Sequence, residues 1–130
     1  MSCATCHIQA HGFECGVNHP TYIDGKTHGI NGNPTPHAMM PLCNLVFNNK
    51  GYFWNGMIYK GNPQANRQNI EDIVSMGILA EHEMNSSIER AVTTIKNISI
   101  YPPMFKAAFG TEEVTIERIE KAIAQFIRTL

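Results

Sequence analysis

The stretch Ser2-Cys3-Ala4-Thr5-Cys6-His7 decides how the rest of this sequence is interpreted. Cys-x-x-Cys-His is the attachment motif of c-type haem. Two cysteines on one helical turn can each form a thioether bond to a vinyl group of the porphyrin, and the next residue can ligate iron through an imidazole nitrogen. We therefore predict one covalent haem c, bound by Cys3 and Cys6, with His7 as the proximal iron ligand.

Two other kinds of site also use a Cys-x-x-Cys pair. A structural zinc site needs a second pair of ligands at similar spacing, but Cys15 and Cys43 are single and far apart in the sequence. A thioredoxin-like redox motif follows a strand in a βαβ unit, and no such pattern surrounds Cys3 and Cys6. Haem attachment is therefore the favoured interpretation.

The length and composition are those of one globular domain spanning residues 1–130. The hydrophobic fraction of 43% is enough for a core, to which a porphyrin would add a large apolar body. A net charge of −1 gives no electrostatic reason to expect nucleic acid or a membrane surface as a partner. No apolar stretch is long enough to predict a membrane span.

The first half of the sequence predicts little regular structure. We expect the helix that carries the cysteines to run to about Ala10 and to end near Gly12. Residues 12–36 are rich in turn formers such as Asp24-Gly25, and we expect a long loop that covers a haem face and supplies a ligand. Residues 39–47 predict one or two helical turns, and residues 60–68 a polar surface excursion.

From residue 69 onwards the pattern becomes helical, so the predicted fold class is mainly α. Asn69 and Thr115 are the expected N-caps of the first and last helices, residues 86–98 form the second, and Pro102-Pro103 open a short third helix that ends at Gly110. The side chains expected to point inward are Ile70, Ile73, Val74 and Ile78 in the first helix, Ile88, Val92 and Ile95 in the second, and Ile116, Ile119, Ile123, Phe126, Ile127 and Leu130 in the last.

Several short motifs follow one another in an order that covers nearly the whole chain. They are Cys3 to His7, Tyr22-Ile23-Asp24-Gly25, Gly29-Ile30-Asn31-Gly32, Leu42-Cys43-Asn44-Leu45, Phe53-Trp54-Asn55-Gly56, Glu83-Met84, Ala108-Phe109-Gly110, and Ala122-Ile123-Ala124-Gln125-Phe126-Ile127-Arg128-Thr129-Leu130. In this order and spacing, the sequence resembles the N-terminal domain of bacterial di-haem cytochrome c peroxidases and the related MauG-type enzymes.

The resemblance implies a class-I cytochrome c-like haem domain with long haem-wrapping loops. It also implies a peroxidase that reduces hydrogen peroxide to water with electrons from a small c-type cytochrome or a cupredoxin. In the family a second haem domain relays these electrons, and this sequence contains no second Cys-x-x-Cys-His. Because covalent haem attachment is normally completed outside the cytoplasm, we expect a periplasmic protein whose native start is not Met1.

The resemblance further implies roles for individual residues. Glu83 matches the distal acid that moves a proton during O–O cleavage, although on spacing alone it would be a solvated acid beside Glu81. Trp54 matches a tryptophan between the two haems, although most lone tryptophans serve in packing. His28, in the long loop, matches the histidine that binds the distal side of the iron in the resting state of many members.

At other positions the sequence departs from the family pattern. Asn55 and Met57 replace an aspartate and an arginine, so both changes remove charge. His37-Ala38 stands where the family often has Arg-Asn, and because that asparagine is associated with a calcium site, Ala38 weakens the prediction of calcium.

Two other functions remain open at this point. One is a monohaem electron-transfer cytochrome whose sixth iron position is filled by His28 or by a methionine such as Met39 or Met40. The other is a MauG-type haem oxidase acting on a protein substrate. For the remaining cysteines we predict no disulfide, and we expect Cys43, in its apolar run, to be a buried free thiol.

Overall fold

The computed structural model describes residues 1–48, 50–53, 55–56, 58 and 69–130. Within them the chain is mainly helical, as predicted, with four α-helices and one small antiparallel sheet. The helices are α1 (Ile70–Leu79), α2 (Ile88–Asn97), α3 (Tyr101–Phe109) and α4 (Ile116–Ile127), and the strands are β1 (Tyr22–Ile23) and β2 (Lys26–Thr27). The predicted polar excursion at residues 60–68 lies outside the described residues.

The helices begin and end where the sequence chemistry places them. The Asn69 amide donates to the Asp72 carboxylate at 2.9 Å at the start of α1, and the Thr115 hydroxyl accepts from the Arg118 amide at 3.4 Å at the start of α4. The second helix is capped by Ser87, one residue inside the predicted start. The third ends before Gly110, whose φ of +80° is the left-handed conformation that glycine adopts without strain.

Helices α1 and α4 pack against each other and form the centre of the fold. Ala124 is fully buried at their contact and belongs to one core cluster with Ile70, Leu45 and Ile127. Polar pairs join the same two helices: the Ser75 hydroxyl donates to Glu120, and the Arg128 guanidinium donates to both Glu71 oxygens, at 2.7 and 2.9 Å. A second cluster, centred on Phe105, Val114 and Ile119, attaches α2 and α3 to the other end of α4.

The predicted inward position of Phe126 is wrong. Its side chain is 51% exposed, and its ring meets the edge of Phe13 with the centroids 5.9 Å apart. The reason is the rotation of α4, which turns the small residue Ala124 towards α1 so that the two backbones can approach closely. Phe126 therefore lies beside the main contact and packs on the loop that follows the attachment motif.

The continuous N-terminal helix to Ala10 is also wrong. Two 3-10 turns, Cys3–Thr5 and Gln9–His11, replace it, and Ile8 between them is extended. Ile8 leaves the helical conformation because it forms an isolated antiparallel bridge with Glu14, with the Ile8 amide donating to the Glu14 carbonyl at 3.1 Å. The predicted end at Gly12 is confirmed, since Gly12 is left-handed with φ +67°.

The long loop at residues 12–36 contains more pairing than predicted. Tyr22 pairs with Thr27 and Ile23 with Lys26, and the turn between the strands is Asp24-Gly25, where φ is +51° and +79°. At residues 39–47, where one or two helical turns were predicted, the chain forms the 3-10 turn Leu45–Phe47. No helix in the described part of the chain is long and apolar enough to cross a bilayer.

Replacing Ile70 tests the α1–α4 core. Ile70 is 3% exposed, so Ile70→Ala should lower the free energy of unfolding by about 3 kcal/mol through lost burial and the cavity that remains. Ile100→Ala is the matched control, because Ile100 is 62% exposed and its loss should change the free energy by less than about 0.5 kcal/mol. Urea unfolding measures both, and equal effects would contradict this account of the core.

Candidate functional site

One apolar cavity of about 330 Å³ lies between the N-terminal segment, α1 and the turn that follows α1. Its size falls in the range of small-molecule and cofactor sites. The lining residues come from five segments: Met1, Ser2, Cys3, Cys6 and His7; Gly29 and residues 35–40 with Leu42; Phe53; Ile73, Val74, Met76, Gly77, Ile78 and Ala80 with His82, Glu83 and Met84; and Ile123 and Ile127.

The predicted inward face of α1 explains why this cavity is apolar. Ile70 is buried in the core and does not line the cavity, whereas Ile73, Val74 and Ile78 do. Of these three, Ile73 and Val74 are only half-buried. Among the described residues, the wall also includes five methionines, Met1, Met39, Met40, Met76 and Met84. A flat apolar body in this cavity would complete the burial of these side chains, which is what a porphyrin requires.

The three residues of the attachment motif lie on the wall of this cavity. Cys3, in the first 3-10 turn, and Cys6, which follows that turn, are free thiols, and His7 comes next, with its amide donating to the Cys3 carbonyl at 2.9 Å. No group of three or more His, Cys, Asp and Glu side chains suited to a bare metal ion occurs in the described ranges. Two thiols and an imidazole on an apolar wall are a donor set that fits haem c.

A hydrogen bond fixes which imidazole nitrogen of His7 is available. The Nδ1 atom of His7 lies 2.7 Å from the Phe13 carbonyl oxygen, which can only accept, so Nδ1 carries the proton. The tautomer that results leaves the lone pair on Nε2. A backbone carbonyl behind a ligating histidine orients the ring and strengthens it as a metal ligand. The sequence predicted the histidine but carried no signal for this partner.

The loop that provides the Phe13 carbonyl is held from several sides. Phe13 adopts a left-handed φ of +62°, which is unusual for a residue with a side chain, and its amide donates to the Ile8 carbonyl at 2.9 Å. Its ring packs on Phe126, and the Cys43 thiol donates to the neighbouring Gly12 carbonyl at 3.4 Å. Cys43 is exposed, so its predicted burial is wrong: it lies beside this loop and not in the core.

Glu83 lies in the turn between α1 and α2 and lines the same cavity. Its side chain is 32% exposed, and Oε1 is 3.9 Å from Nε2 of His82. The carboxylate is within electrostatic reach of the attachment motif, because its charge contributes to the thiol pKa values of both Cys3 and Cys6. The structure therefore brings Glu83 together with Cys3, Cys6 and His7.

Burial against the cavity wall is the main influence on the pKa of each attachment thiol, Cys3 and Cys6. Cys3 is exposed on its solvent side, but its thiol lines the cavity, where desolvation raises its pKa above the ordinary value of 9.0. Desolvation likewise raises the pKa of Cys6, and the neighbouring Cys15 and Glu83 add to the increase. Both thiols are therefore protonated at neutral pH.

The turn that carries Glu83 is fixed by contact with the long loop. The Ile30 amide donates to the Glu83 carbonyl at 2.8 Å, which brings Gly29 against the backbone of the turn. A Cβ atom at Gly29 would overlap the carbonyl groups of His82 and Glu83 and would lie 2.6 Å from the Glu83 carbonyl oxygen. Only glycine fits here, so the loop positions the carboxylate through this close approach.

His28, in the long loop, and His37, just after it, occupy different places. His28 does not line the cavity; its Nδ1 atom is 3.1 Å from the Lys26 carbonyl, so Nε2 is its available nitrogen. His37 does line the cavity and is exposed, and the buried Thr35 hydroxyl donates to its carbonyl at 2.8 Å. The structure therefore does not bring His28 to the other predicted site residues, and its role as distal ligand stays a prediction.

Trp54 and Met57 lie outside the described residues, so the predicted role of Trp54 stays a prediction. The described neighbour Phe53 lines the cavity, and Tyr52 pairs with Ile58 in an isolated bridge. Ala38 also lines the cavity.

Of the residues that sequence reasoning missed, Phe13, Gly29 and the methionines of α1 and its turn are the main ones. The glycine-rich motif at Gly29 was the one available signal.

A family model described as di-haem cytochrome c peroxidase matches residues 1–130. The chain belongs to the di-haem cytochrome c peroxidase family. Among its curated relatives, the methylamine utilization proteins MauG of Methylorubrum extorquens and Methylophilus methylotrophus are 30% and 28% identical to it. Cytochrome c551 peroxidase of Nitrosomonas europaea is 29% identical over 130 residues.

The chain matches only part of these family members. Each alignment covers 100% of the chain, but 32% of the Methylorubrum protein and 34% of each of the other two. The chain thus spans about a third of the length of these curated relatives. The family assignment confirms the resemblance that the motifs indicated.

Replacing Gly29 tests whether the loop positions the cavity wall. Gly29→Ala should push the loop away from the turn at His82 and Glu83, and the fraction of chains that carry haem should fall. Gly25→Ala is the control, since a Cβ there meets nothing within 4 Å although its φ of +79° also strains the substituted chain. Haem content per chain measures the effect, and an equal loss in both variants would show that turn strain alone is responsible.

Proposed function

We propose that this chain is the peroxidase-type haem domain of its family, a single cytochrome c-like domain that binds one haem c and reduces hydrogen peroxide to water. The observation that carries the proposal is the joint placement of the attachment motif and Glu83 on one apolar cavity. The loop segments at residues 35–40 and at Gly29 form another part of that wall, which supports the haem-wrapping role predicted for them.

Cys3 and Cys6 would hold the haem through thioether bonds, and Nε2 of His7 would ligate the iron. When bound, the haem supplies the coordination site and the electron path that peroxide reduction needs. The hydrogen bond from Nδ1 of His7 to the Phe13 carbonyl holds the imidazole in the tautomer required for ligation. It also increases electron donation from the ring, which favours cleavage of an O–O bond.

Glu83 supplies the proton transfer. Reduction of one hydrogen peroxide to two waters consumes two electrons and two protons, and the leaving oxygen must be protonated as the O–O bond breaks. A carboxylate on the cavity wall can take the proton from one peroxide oxygen and return it to the other. Its partial exposure of 32% also leaves a path for protons from solvent.

The electrons would come from outside this domain. The family is described as di-haem, which supports a second haem domain as the immediate partner. We propose a small c-type cytochrome or cupredoxin as the donor, with Trp54 at the haem edge as the point of electron transfer. Covalent haem attachment supports a periplasmic location for the protein.

Two observations support other uses of the same site. The relatives named MauG favour a MauG-type haem oxidase with a protein substrate. The methionines on the cavity wall, together with His37, favour an electron-transfer cytochrome whose sixth iron position is filled. The absorption spectrum of the oxidised protein identifies the electron-transfer cytochrome. A low-spin spectrum that hydrogen peroxide leaves unchanged indicates that the sixth coordination position of the iron is occupied.

Substitution of Glu83 tests the peroxidase proposal. Glu83→Gln removes the proton acceptor but keeps the shape, so the rate of the Soret change after mixing with hydrogen peroxide should fall by a factor of about 10² to 10⁴. Glu81→Gln is the matched control, because Glu81 lies two residues away, is exposed and does not line the cavity. Equal rates in wild type and Glu83→Gln would show that Glu83 takes no part in the reaction with hydrogen peroxide.

A further inference from the structure

The turn after α1 carries two titratable side chains next to each other, and so far only Glu83 has a part in the proposed reaction. Nε2 of His82 lies 3.9 Å from Oε1 of Glu83, and both side chains line the cavity. This distance is in the range of an ion pair, and a small side-chain rotation or one bridging water completes a proton path. Hydrogen bonds used in catalysis are often long before substrate binds and tighten afterwards.

The carboxylate of Glu83 is held so that its two oxygens face different neighbours. A Cβ atom at Gly77 would lie 3.0 Å from Oε2, which is closer than an ordinary van der Waals contact. Oε2 therefore rests on the backbone of α1, at a position in the helix where only glycine leaves this room. Oε1 is the oxygen that faces His82, so it can exchange a proton with the imidazole while Oε2 stays against α1.

The backbone that carries the pair is fixed from two sides. The Glu83 amide donates to the carbonyl of Ala80, just after α1, at 3.0 Å, and the Asn85 amide donates to the same carbonyl at 2.9 Å. From the long loop, Gly29 lies directly against the carbonyl of His82. The closeness of the two side chains is therefore a property of the fold.

The two side chains have complementary chemistry. A carboxylate rarely holds a proton at neutral pH, whereas imidazole is the side chain that gains and loses one between about pH 5 and 8. The His82 side chain is 40% exposed, so it can take protons from solvent. We propose that His82 is a proton-relay residue that acts through Glu83 and supplies the two protons consumed in reducing each hydrogen peroxide.

This role rests on the proposed function, and the proton balance shows where it acts. Cleavage of the O–O bond uses the two protons that hydrogen peroxide brings, and they leave in the first water. The second water needs two electrons and two further protons. For each of these protons, the N–H bond at Nε2 of His82 breaks and an O–H bond forms at Oε1 of Glu83. Glu83 then passes the proton to the oxygen, and His82 regains one from solvent.

Other titratable side chains lie near the pair. Three of them are used in the proposed haem attachment: Cys3, Cys6 and His7. Glu81 is next to His82 in the sequence, but it is exposed and does not line the cavity. His37 does line the cavity, so it is the histidine that an experiment must distinguish from His82.

The test follows two steps in the haem-loaded chain by stopped-flow absorption. Hydrogen peroxide first shifts the Soret band of the oxidised protein, and ferrocyanide, an electron donor that carries no proton, then restores it. His82→Gln should slow the second step, and that step alone, by about tenfold or more. His11→Gln is the matched control, because His11 is exposed and does not line the cavity, and it should change neither rate.

The pH dependence identifies the group that carries the proton. In wild type the second step should become slower as the pH rises and an imidazolium loses its proton. This dependence should disappear in His82→Gln, with the rate staying low, and should persist in His37→Gln. Haem content per chain confirms that each variant is folded and loaded.

Several results would overturn the relay. They are an unchanged second step in His82→Gln, equal slowing of both steps, which indicates a merely structural role, a pH dependence that disappears in His37→Gln instead, or a wild-type Soret band that ferrocyanide does not restore. If hydrogen peroxide does not shift the wild-type band at all, the proposed function fails and the relay with it. A normal first step with any of the other results refutes the relay alone.

Discussion

The hydrogen bond between Nδ1 of His7 and the Phe13 carbonyl is the constraint on which the site depends. It exists because the chain leaves its 3-10 turn at Cys6, pairs Ile8 with Glu14 and returns with Phe13 in a left-handed conformation. A regular helix through these residues would turn the imidazole to a different place and leave it without this partner. The break in the helix therefore fixes the tautomer of His7 that the proposed ligation of iron requires.

The second requirement is a cavity that the protein does not fill itself. Helices α1 and α4 bury Ile70 and Ala124 against each other, yet α1 leaves Ile73 and Val74 facing an apolar space. Gly29 lets the long loop close against the turn that carries Glu83. The same contacts that complete the fold thus place a carboxylate and the attachment motif around one cavity, which is the arrangement that the proposed reaction of peroxide needs.

The helices could be predicted from the sequence because their signals are local. Asn69 and Thr115 are caps, and the spacing of isoleucines marks the inward faces of α1 and α4. The attachment motif and the resemblance to the di-haem cytochrome c peroxidase family could also be recognised, because both depend on the order of residues in the sequence. Phe126 could not be placed correctly, because the apolar stripe of α4 is wider than the face that packs, and Ala124 decides the rotation only through its contact with α1. The hydrogen-bond partner of His7 could not be predicted either, because the Phe13 carbonyl is a backbone group that every residue has.

The central claim is that the apolar cavity holds a haem bound covalently by Cys3 and Cys6. Its most direct test is to denature the purified holoprotein, extract it with acidified solvent and measure the haem that stays with the chain. Wild type and Cys15→Ala should retain it, whereas the double variant Cys3→Ala and Cys6→Ala should release it completely. Complete extraction of haem from the wild-type chain would contradict the account.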